Sequence, residues 1–502
     1  RGALGVFSVY NTLTTQAGST LQMDLGPSGA SDRVAVGGAA ALAGGALALT
    51  TAASSTIGST YTLMTADSVT GRFDSVAVSN PLIAAQVSYG SEDVAVTLLR
   101  SSVPLSIYAT TANERAVANA LDTLSTASSL SQAVIPLSGG TAAAADKSLS
   151  GEAYASTSSA LSGQSILVRN MVMDRARRPV STAPAPVAPM SYAPTGASAM
   201  GDAAMAYAAP AGAGPFASLA ADTAPDAGAA RAFWAEAFGA WGHLGGDGNS
   251  STATTSVGGM MVGLDGRIGT DWLFGFAAGY ASARVSVTDV SSATSADTVT
   301  LAVYGGGPAG ALAARFGASY GWSSLTSSRT VSFPGFLNQL SADYGGATAQ
   351  LFGELALPVA WGGAALEPFA GVALVNVSTG AFTETGGVAA LTSGGNSDLV
   401  TYTSLGLRGT VPWTLGALRG ATHASLAWQH AFGDVTPQAT FAFAGAQPFT
   451  VAGTPVAEDA ALVEAGLDMA LSAALTLSVT YAGQLAQDAQ ENLLKGGFTL
   501  RF

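Results

Sequence analysis

From Arg231 to Phe502 the chain reads as alternating segments whose connections are short, then long, then short again. A β-barrel closed across an outer membrane needs this rhythm, because tight turns face one compartment and longer loops the other. A soluble β-sandwich has no reason to sort its connections by length. The end, Lys495-Gly-Gly-Phe-Thr-Leu-Arg-Phe502, sets apolar residues at 498, 500 and 502 against polar ones, so a final strand is expected to run to the last residue.

Composition agrees with this reading. Of the 502 residues 48% are apolar but only 10% charged, well below the quarter usual in soluble domains. A helical membrane protein would show apolar runs of about 18 or more residues. The longest candidate, Gly37 to Leu49, is too short and too rich in glycine. Cysteine is absent, which suits a chain that crosses an oxidising compartment unfolded, where a premature disulfide would block passage. A net charge of −13, with no basic patch to meet phosphates, argues against nucleic acid as a partner. The chain opens at Arg1 inside a Gly/Ser/Thr pattern without a secretory leader, and is expected to be a processed or truncated piece.

Residues 1–104 hold short β-like runs between Gly, Asn, Asp and Ser, among them Ser19–Leu25, Asp32–Val36, Thr60–Met64 and Asp93–Leu99. Strands this short bury a face only when stacked, as in the rungs of a right-handed parallel β-helix; a small β-sandwich is the alternative. In 105–178 the period becomes helical. One helix is expected from Ala112 to Asp122, with Ala116, Ala120 and Leu124 on one face and Asn113, Arg115 and Asp122 elsewhere. A second is expected from Ser148 to Arg175, ending on Arg175, Arg177 and Arg178 before Pro179. Residues 179–230 are rich in Pro, Ala and Gly and read as an extended linker, with a short helix over 216–230 leading into the barrel.

Over 231–502 the pattern predicts a twelve-stranded antiparallel transmembrane barrel, so the fold class is mainly all-β. Tight turns are expected at Gly269–Asp271, Gly305–Gly310, Trp361–Gly363, Leu415–Gly416 and Ser472–Ala474. Longer loops are expected at Gly245–Thr255, Thr326–Leu340, Gly380–Ser397 and Gly433–Glu458. Alternation sends Leu312, Phe316, Tyr320, Trp322, Leu426, Trp428 and Phe432 to lipid. It sends Glu236, Asp265, Arg267, Arg315, Glu354, Arg408, Glu464, Asp468 and Arg501 to a wet lumen, since a charge on the lipid face costs about 2–4 kcal/mol near the midplane. Tyr280, Tyr304, Tyr320, Trp322, Trp361, Trp413, Trp428 and Tyr481 suit interfacial girdles.

Three stretches resemble the classical monomeric autotransporters of type V secretion. Gly58-Ser-Thr-Tyr-Thr-Leu-Met64 with Asp67-Ser-Val-Thr-Gly-Arg-Phe-Asp74 is similar to the autochaperone-like end of a β-helical passenger. Asn113-Glu-Arg-Ala-Val-Ala-Asn-Ala-Leu-Asp122 with Leu149-Ser-Gly-Glu-Ala-Tyr-Ala-Ser156 is similar to a helical connector. Trp234-Ala-Glu-Ala-Phe-Gly-Ala-Trp-Gly242, Gly246-Asp-Gly-Asn249, Gly263-Leu-Asp265, Gly279-Tyr280 and Gln350-Leu-Phe-Gly-Glu354 resemble translocator landmarks. The resemblance implies a barrel whose pore holds the segment before its first strand, either residues 149–178 or 210–230. It implies export and anchoring of the chain's own passenger at the cell surface. Outer-membrane lipid, the barrel-assembly machinery and periplasmic chaperones are the implied partners, with Phe498, Leu500 and Phe502 as the assembly signal. Self-cleavage at a paired-Asn site, known in some members, finds no matching pair here.

No catalytic, cofactor or metal site is expected. Gly317-Ala-Ser-Tyr-Gly321 imitates a nucleophile elbow but sits in a strand pattern, and Gly305–Gly310 imitates a phosphate loop with no helix to follow. His243, His423 and His430 lack metal-ligand spacing. The alternatives to a translocator are a passive porin, or the anchor of a surface enzyme or adhesin whose active part lies upstream.

Overall fold

The computed structural model describes residues 4–177, 231–269, 271–416 and 418–502. The expected linker and the helix at 216–230 lie outside these.

Residues 6–78 form nine short strands: β1 Val6–Val9, β2 Leu13–Gln16, β3 Thr20–Leu25, β4 Arg33–Val36, β5 Ala39–Ala43, β6 Ala46–Thr51, β7 Thr60–Thr65, β8 Ser68–Arg72 and β9 Ser75–Val78. They stack in register as three parallel sheets, β1-β4-β7, β2-β5-β8 and β3-β6-β9. This is the β-helix arrangement and not the sandwich. Each rung gives few apolar side chains, and only the stack shields them: Leu25, Val36, Leu42, Leu49 and Leu63 are almost wholly buried. The stack ends on an antiparallel hairpin, β10 Ile83–Tyr89 with β11 Asp93–Arg100, which pairs onto β7.

Four helices follow: α1 Ala112–Leu121, α2 Ser129–Val134, α3 Gly140–Leu149 and α4 Glu152–Arg177. A capping box starts α1: the Thr111 hydroxyl accepts from the Glu114 amide at 3.1 Å, and the Glu114 carboxylate accepts from the Thr111 amide at 3.2 Å. The face that α1 buries carries Asn113, Val117, Ala118 and Leu121, so Asn113, expected on a polar face, is buried instead. It is satisfied there by partners from the barrel loops. The break between α3 and α4 is Gly151 at φ +70°, a left-handed position that a side chain rarely adopts.

The barrel strands are β12 Arg231–Leu244, β13 Ala253–Ile268, β14 Trp272–Val287, β15 Ser292–Ala309, β16 Leu312–Phe333, β17 Phe336–Ala356 extended by β18 Val359–Trp361, and β19 Ala364–Thr379. Then come β22 Asn396–Leu415, β23 Leu418–Gly433, β26 Asp459–Ala470, β27 Leu475–Leu485 and β28 Ala489–Arg501. Each pairs antiparallel with its neighbours, and β28 returns to β12 from Ala232↔Arg501 to Leu244↔Ala489. Twelve walls therefore close without an edge, as lipid demands, because no water there can satisfy an unpaired backbone group. Between them, β20 Phe382–Thr383, β21 Leu391–Ser393, β24 Gln438–Phe443 and β25 Phe449–Ala452 form a small sheet over one mouth.

Alternation sorts the faces: Phe316, Tyr320, Trp322, Leu426, Trp428 and Phe432 are exposed on the outer wall. Two expectations need correction. Thr326–Leu340 is no loop, since β16 and β17 run on to a turn at Pro334-Gly335. There the outward face becomes polar, with Thr326 donating to Asp343 at 2.7 Å, while Leu325, Val331 and Leu340 stay buried inward. Leaving the lipid reverses the outward chemistry without ending the strand. Tyr304 belongs to no girdle. It shares the inward parity of Thr300 and Ala302 and is 2% exposed, whereas Val303 faces out.

Candidate functional site: the plugged lumen

Glycine, serine and alanine dominate the inward face of the strands, which leaves room for a helix. α4 takes that room, so the helix expected near 149–178 stands in the lumen, while the other expected pore segment, 210–230, lies outside the described residues. It reaches opposite walls: Ser162 bonds the Tyr402 hydroxyl on β22 at 2.8 Å, the Ser165 carbonyl accepts from Gln350 on β17 at 3.0 Å, and Arg175 donates to Thr499 on β28 at 3.3 Å. The sequence of α4 explains its environment. Ser156, Thr157, Ser158, Ser159, Ser162 and Ser165 are buried, and no lipid-facing helix would carry so many hydroxyls.

At the tight-turn end charges hold the helix. Arg175 pairs with Asp265 on β13 through two nitrogens, and Tyr304 donates to the same carboxylate at 2.9 Å. Asp174 pairs with Lys495 on β28, and Arg177 with both Asp174 and Glu354. Glu354 lies in a wall cluster: Arg315 reaches it at 2.8 Å and Glu367 at 2.6 Å, while Arg408 reaches them at 2.5 and 2.7 Å. Removing one member of such a cluster leaves a buried charge and costs about 3–5 kcal/mol.

At the long-loop end polar knots do the same. Asn113 of α1 donates to the Ala452 carbonyl at 2.8 Å and accepts from the Ala452 amide at 2.8 Å and from Asn249 at 3.1 Å. Glu152 accepts from Asn113 at 3.3 Å and from the Ser251 amide at 3.0 Å. Glu384, in the loop over the mouth, accepts from Arg329 at 2.6 Å and from Tyr154 at 2.7 Å. Phe382, Phe441 and Tyr344 pack around Tyr154.

Of the luminal residues expected from alternation, Asp265, Arg315, Glu354 and Arg408 join the clusters above. Glu236 and Asp468 are buried on inward positions, and Arg267, Glu464 and Arg501 are half-buried, with Arg501 donating to Thr476 at 3.2 Å. His423 sits between Asp468 at 3.3 Å and Glu464 at 3.8 Å, and 3.4 Å from Thr480. No group of three or more metal-ligand side chains placed to hold a metal ion occurs among the described residues. Gly317–Gly321 is interior to β16, and Gly305–Ala309 is the end of β15, so the turn expected over Gly305–Gly310 narrows to Gly310 and Ala311. Sequence reasoning missed Lys495, Glu367, Arg329 and Glu384. The inward parity of Lys495 with Leu493 and Thr499 was the signal available for the first.

Residues 233–482 match the autotransporter β-domain family. Two proteins of Serratia marcescens named extracellular serine protease are 29% and 28% identical, covering 99% and 89% of this chain. The chain spans about half the length of these relatives, 49% and 43%. The translocator domain of the autotransporter NalP from Neisseria meningitidis superposes with a TM-score of 0.45 at 14% identity, over 55% of this chain and 90% of that one. The β-domain of the Bordetella autotransporter BrkA gives 0.43 at 18%, over 54% and 100%. The family match spans the closed barrel from its first strand into its eleventh, and the chain accordingly belongs to the autotransporters, with an outer-membrane β-domain at its C-terminal end.

Proposed function

We propose that the barrel is the translocator of a type V system, which carries the preceding chain through the outer membrane and then anchors it at the cell surface. The observation that carries this reading is the course of α4. The chain comes down from the β-helix at the long-loop mouth, traverses the lumen, and re-enters as β12 at the tight-turn rim. One polypeptide thus has its N-terminal part on one side and its barrel entry on the other. We divide it into a passenger end (1–104), a connector (105–178), a linker (179–230) and the barrel (231–502). A porin would leave the lumen open, whereas α4 runs through it and bonds to its walls.

Protease added to intact cells tests the reading. It should degrade the β-helical part and leave a fragment containing α4 and the barrel. Protection of residues 4–149 until the cells are broken would overturn it. Assembly by the barrel-assembly machinery, after escort by periplasmic chaperones, is read from the last strand, where Phe498, Leu500 and Phe502 stand exposed on the outer wall. The luminal charges line a wet path for the passing chain. A second reading concerns the cargo. The relatives' names favour a serine protease as the exported part, which would be carried ahead of the β-helix in the full gene product. Export medium from cells expressing that product should hydrolyse casein and lose the activity with a serine-directed inhibitor; inert medium from exporting cells would remove this reading.

A further inference from the structure

α4 does not fill the lumen evenly. Between it and the wall from β17 round to β28 lies a crevice with a cavity volume of about 110 Å³. Arg169 and Glu491 both line it, on α4 and on β28. Arg175, Arg177, Arg315 and Arg408 all have carboxylate partners. Arg169 has none among the described residues: it donates one 3.4 Å bond to the Gln350 side chain, and its guanidinium lies 5.5 Å from the Tyr402 ring centre. Glu491 makes no hydrogen bond or ion pair with a described residue. Both are half-buried, each with one side open to the crevice, and a charge taken this far from bulk water is normally paired, because desolvation without a partner costs free energy.

The two charges lie at similar depth. The Glu491 carboxylate is 3.6 Å from where a Cβ on Gly163 would stand. Arg169 starts six residues further along, roughly 9 Å of helix rise. A helical side chain leans back toward the N-terminus, however, and Tyr402, on which Arg169 rests, is bonded to Ser162. Guanidinium and carboxylate thus face one crevice about a third of a turn apart around α4. Gln429 and Gln484 also line it and offer amide donors and acceptors between them.

We propose that this crevice is a binding site for a small zwitterion, a free amino acid or short peptide, with its carboxylate on Arg169 and its ammonium on Glu491. A simple anion would leave Glu491 uncompensated, and a simple cation would leave Arg169 so. A zwitterion answers both at once. The site is independent of export, since it needs only the seated helix.

The test uses the full 502-residue chain folded in detergent micelles, with diglycine as the probe and calorimetric titration or saturation-transfer NMR as the readout. Diglycine should bind, and R169Q and E491Q should each weaken it about ten-fold, the worth of one charged hydrogen-bonded contact. Sodium acetate and ethylammonium chloride should each bind at least about ten-fold more weakly than diglycine. Heat-modifiable mobility on gels verifies that each variant is a folded barrel, and E491Q, on the wall, carries the test if R169Q fails to seat the helix. No diglycine binding, binding no tighter than acetate, or undiminished binding in E491Q overturns the proposal.

Discussion

A residue in this protein is governed first by which side of a strand it falls on, and then by which charge it meets there. Asp265 was legible as inward from alternation alone, yet its partner Arg175 lies 90 residues earlier on α4, and nothing in local spacing joins the two. Asn113 was misjudged for a related reason. Its amide reads as solvent-facing polarity until Asn249 and Ala452, from two distant loops, supply the bonds that bury it. Replacing Arg175 by Ala should therefore cost about 3–5 kcal/mol at the anchor. It should also raise single-channel conductance in planar bilayers by loosening the seated helix; an unchanged conductance would count against the anchoring role. Asp146 on α3 lies outside the membrane, and burial, then Glu114, then Asp122, push its carboxyl from 3.8 up to about 8. Its folded state holds the proton more tightly than the unfolded one, so its contribution is full below about 4 and is lost as pH rises through about 8. Wild-type connector should accordingly become more protease-sensitive between pH 5 and pH 8.5, on the order of the shift in this one group, while Asp146→Asn should flatten that dependence.

At the scale of elements, the strands and the two main helices were written plainly in the period of the sequence, and most strand bounds lie within a few residues of expectation. The exception was β16–β17. Its outer face changes from aromatic to hydroxyl where the membrane ends, and hydroxyl-rich sequence imitates a loop. Only the inward set, with Val331 and Phe333 on one strand and Leu340 and Tyr344 on the other, keeps the strand period there. What period cannot show is which glycines make room for neighbours. Trp234 lies flat over Gly263, where a Cβ would come within 2.5 Å of the indole, and its Nε1 donates to Tyr304 at 2.7 Å. Gly263→Val should dislodge the indole from this slot beside Asp265. Overpacking of this kind costs about 1–3 kcal/mol, so the midpoint of thermal unfolding in detergent should fall. An unshifted midpoint would show that the wall yields freely.

For the molecule as a whole, closure was foreseeable because the even strand count and the sorted connection lengths leave few other arrangements. The occupant of the lumen was not, since two segments stood before the first strand and both had the composition to enter. Hydroxyl content, judged against a polar wall, would have favoured α4. The seam between β12 and β28 completes the barrel, and Phe233 meets Phe498 across it at 6.0 Å. Phe498→Asp would put a charge on that outer wall and should reduce the heat-modifiable form recovered from membranes; full recovery would argue that the last strand is not read as proposed.

The tall β16–β17 hairpin makes the surface-facing rim lopsided. α3 leans on this hairpin, and Arg329 reaches across to the Ser148 carbonyl at 3.1 Å. Elsewhere on the rim, α1 is tied through Asn113 to β25 and to Asn249 in the loop between β12 and β13. Gripped from two compass points, the β-helix cannot swivel about the pore axis. Whatever it displays to the surroundings is held at a fixed bearing, so neighbouring copies in the same membrane would each present a single chosen side.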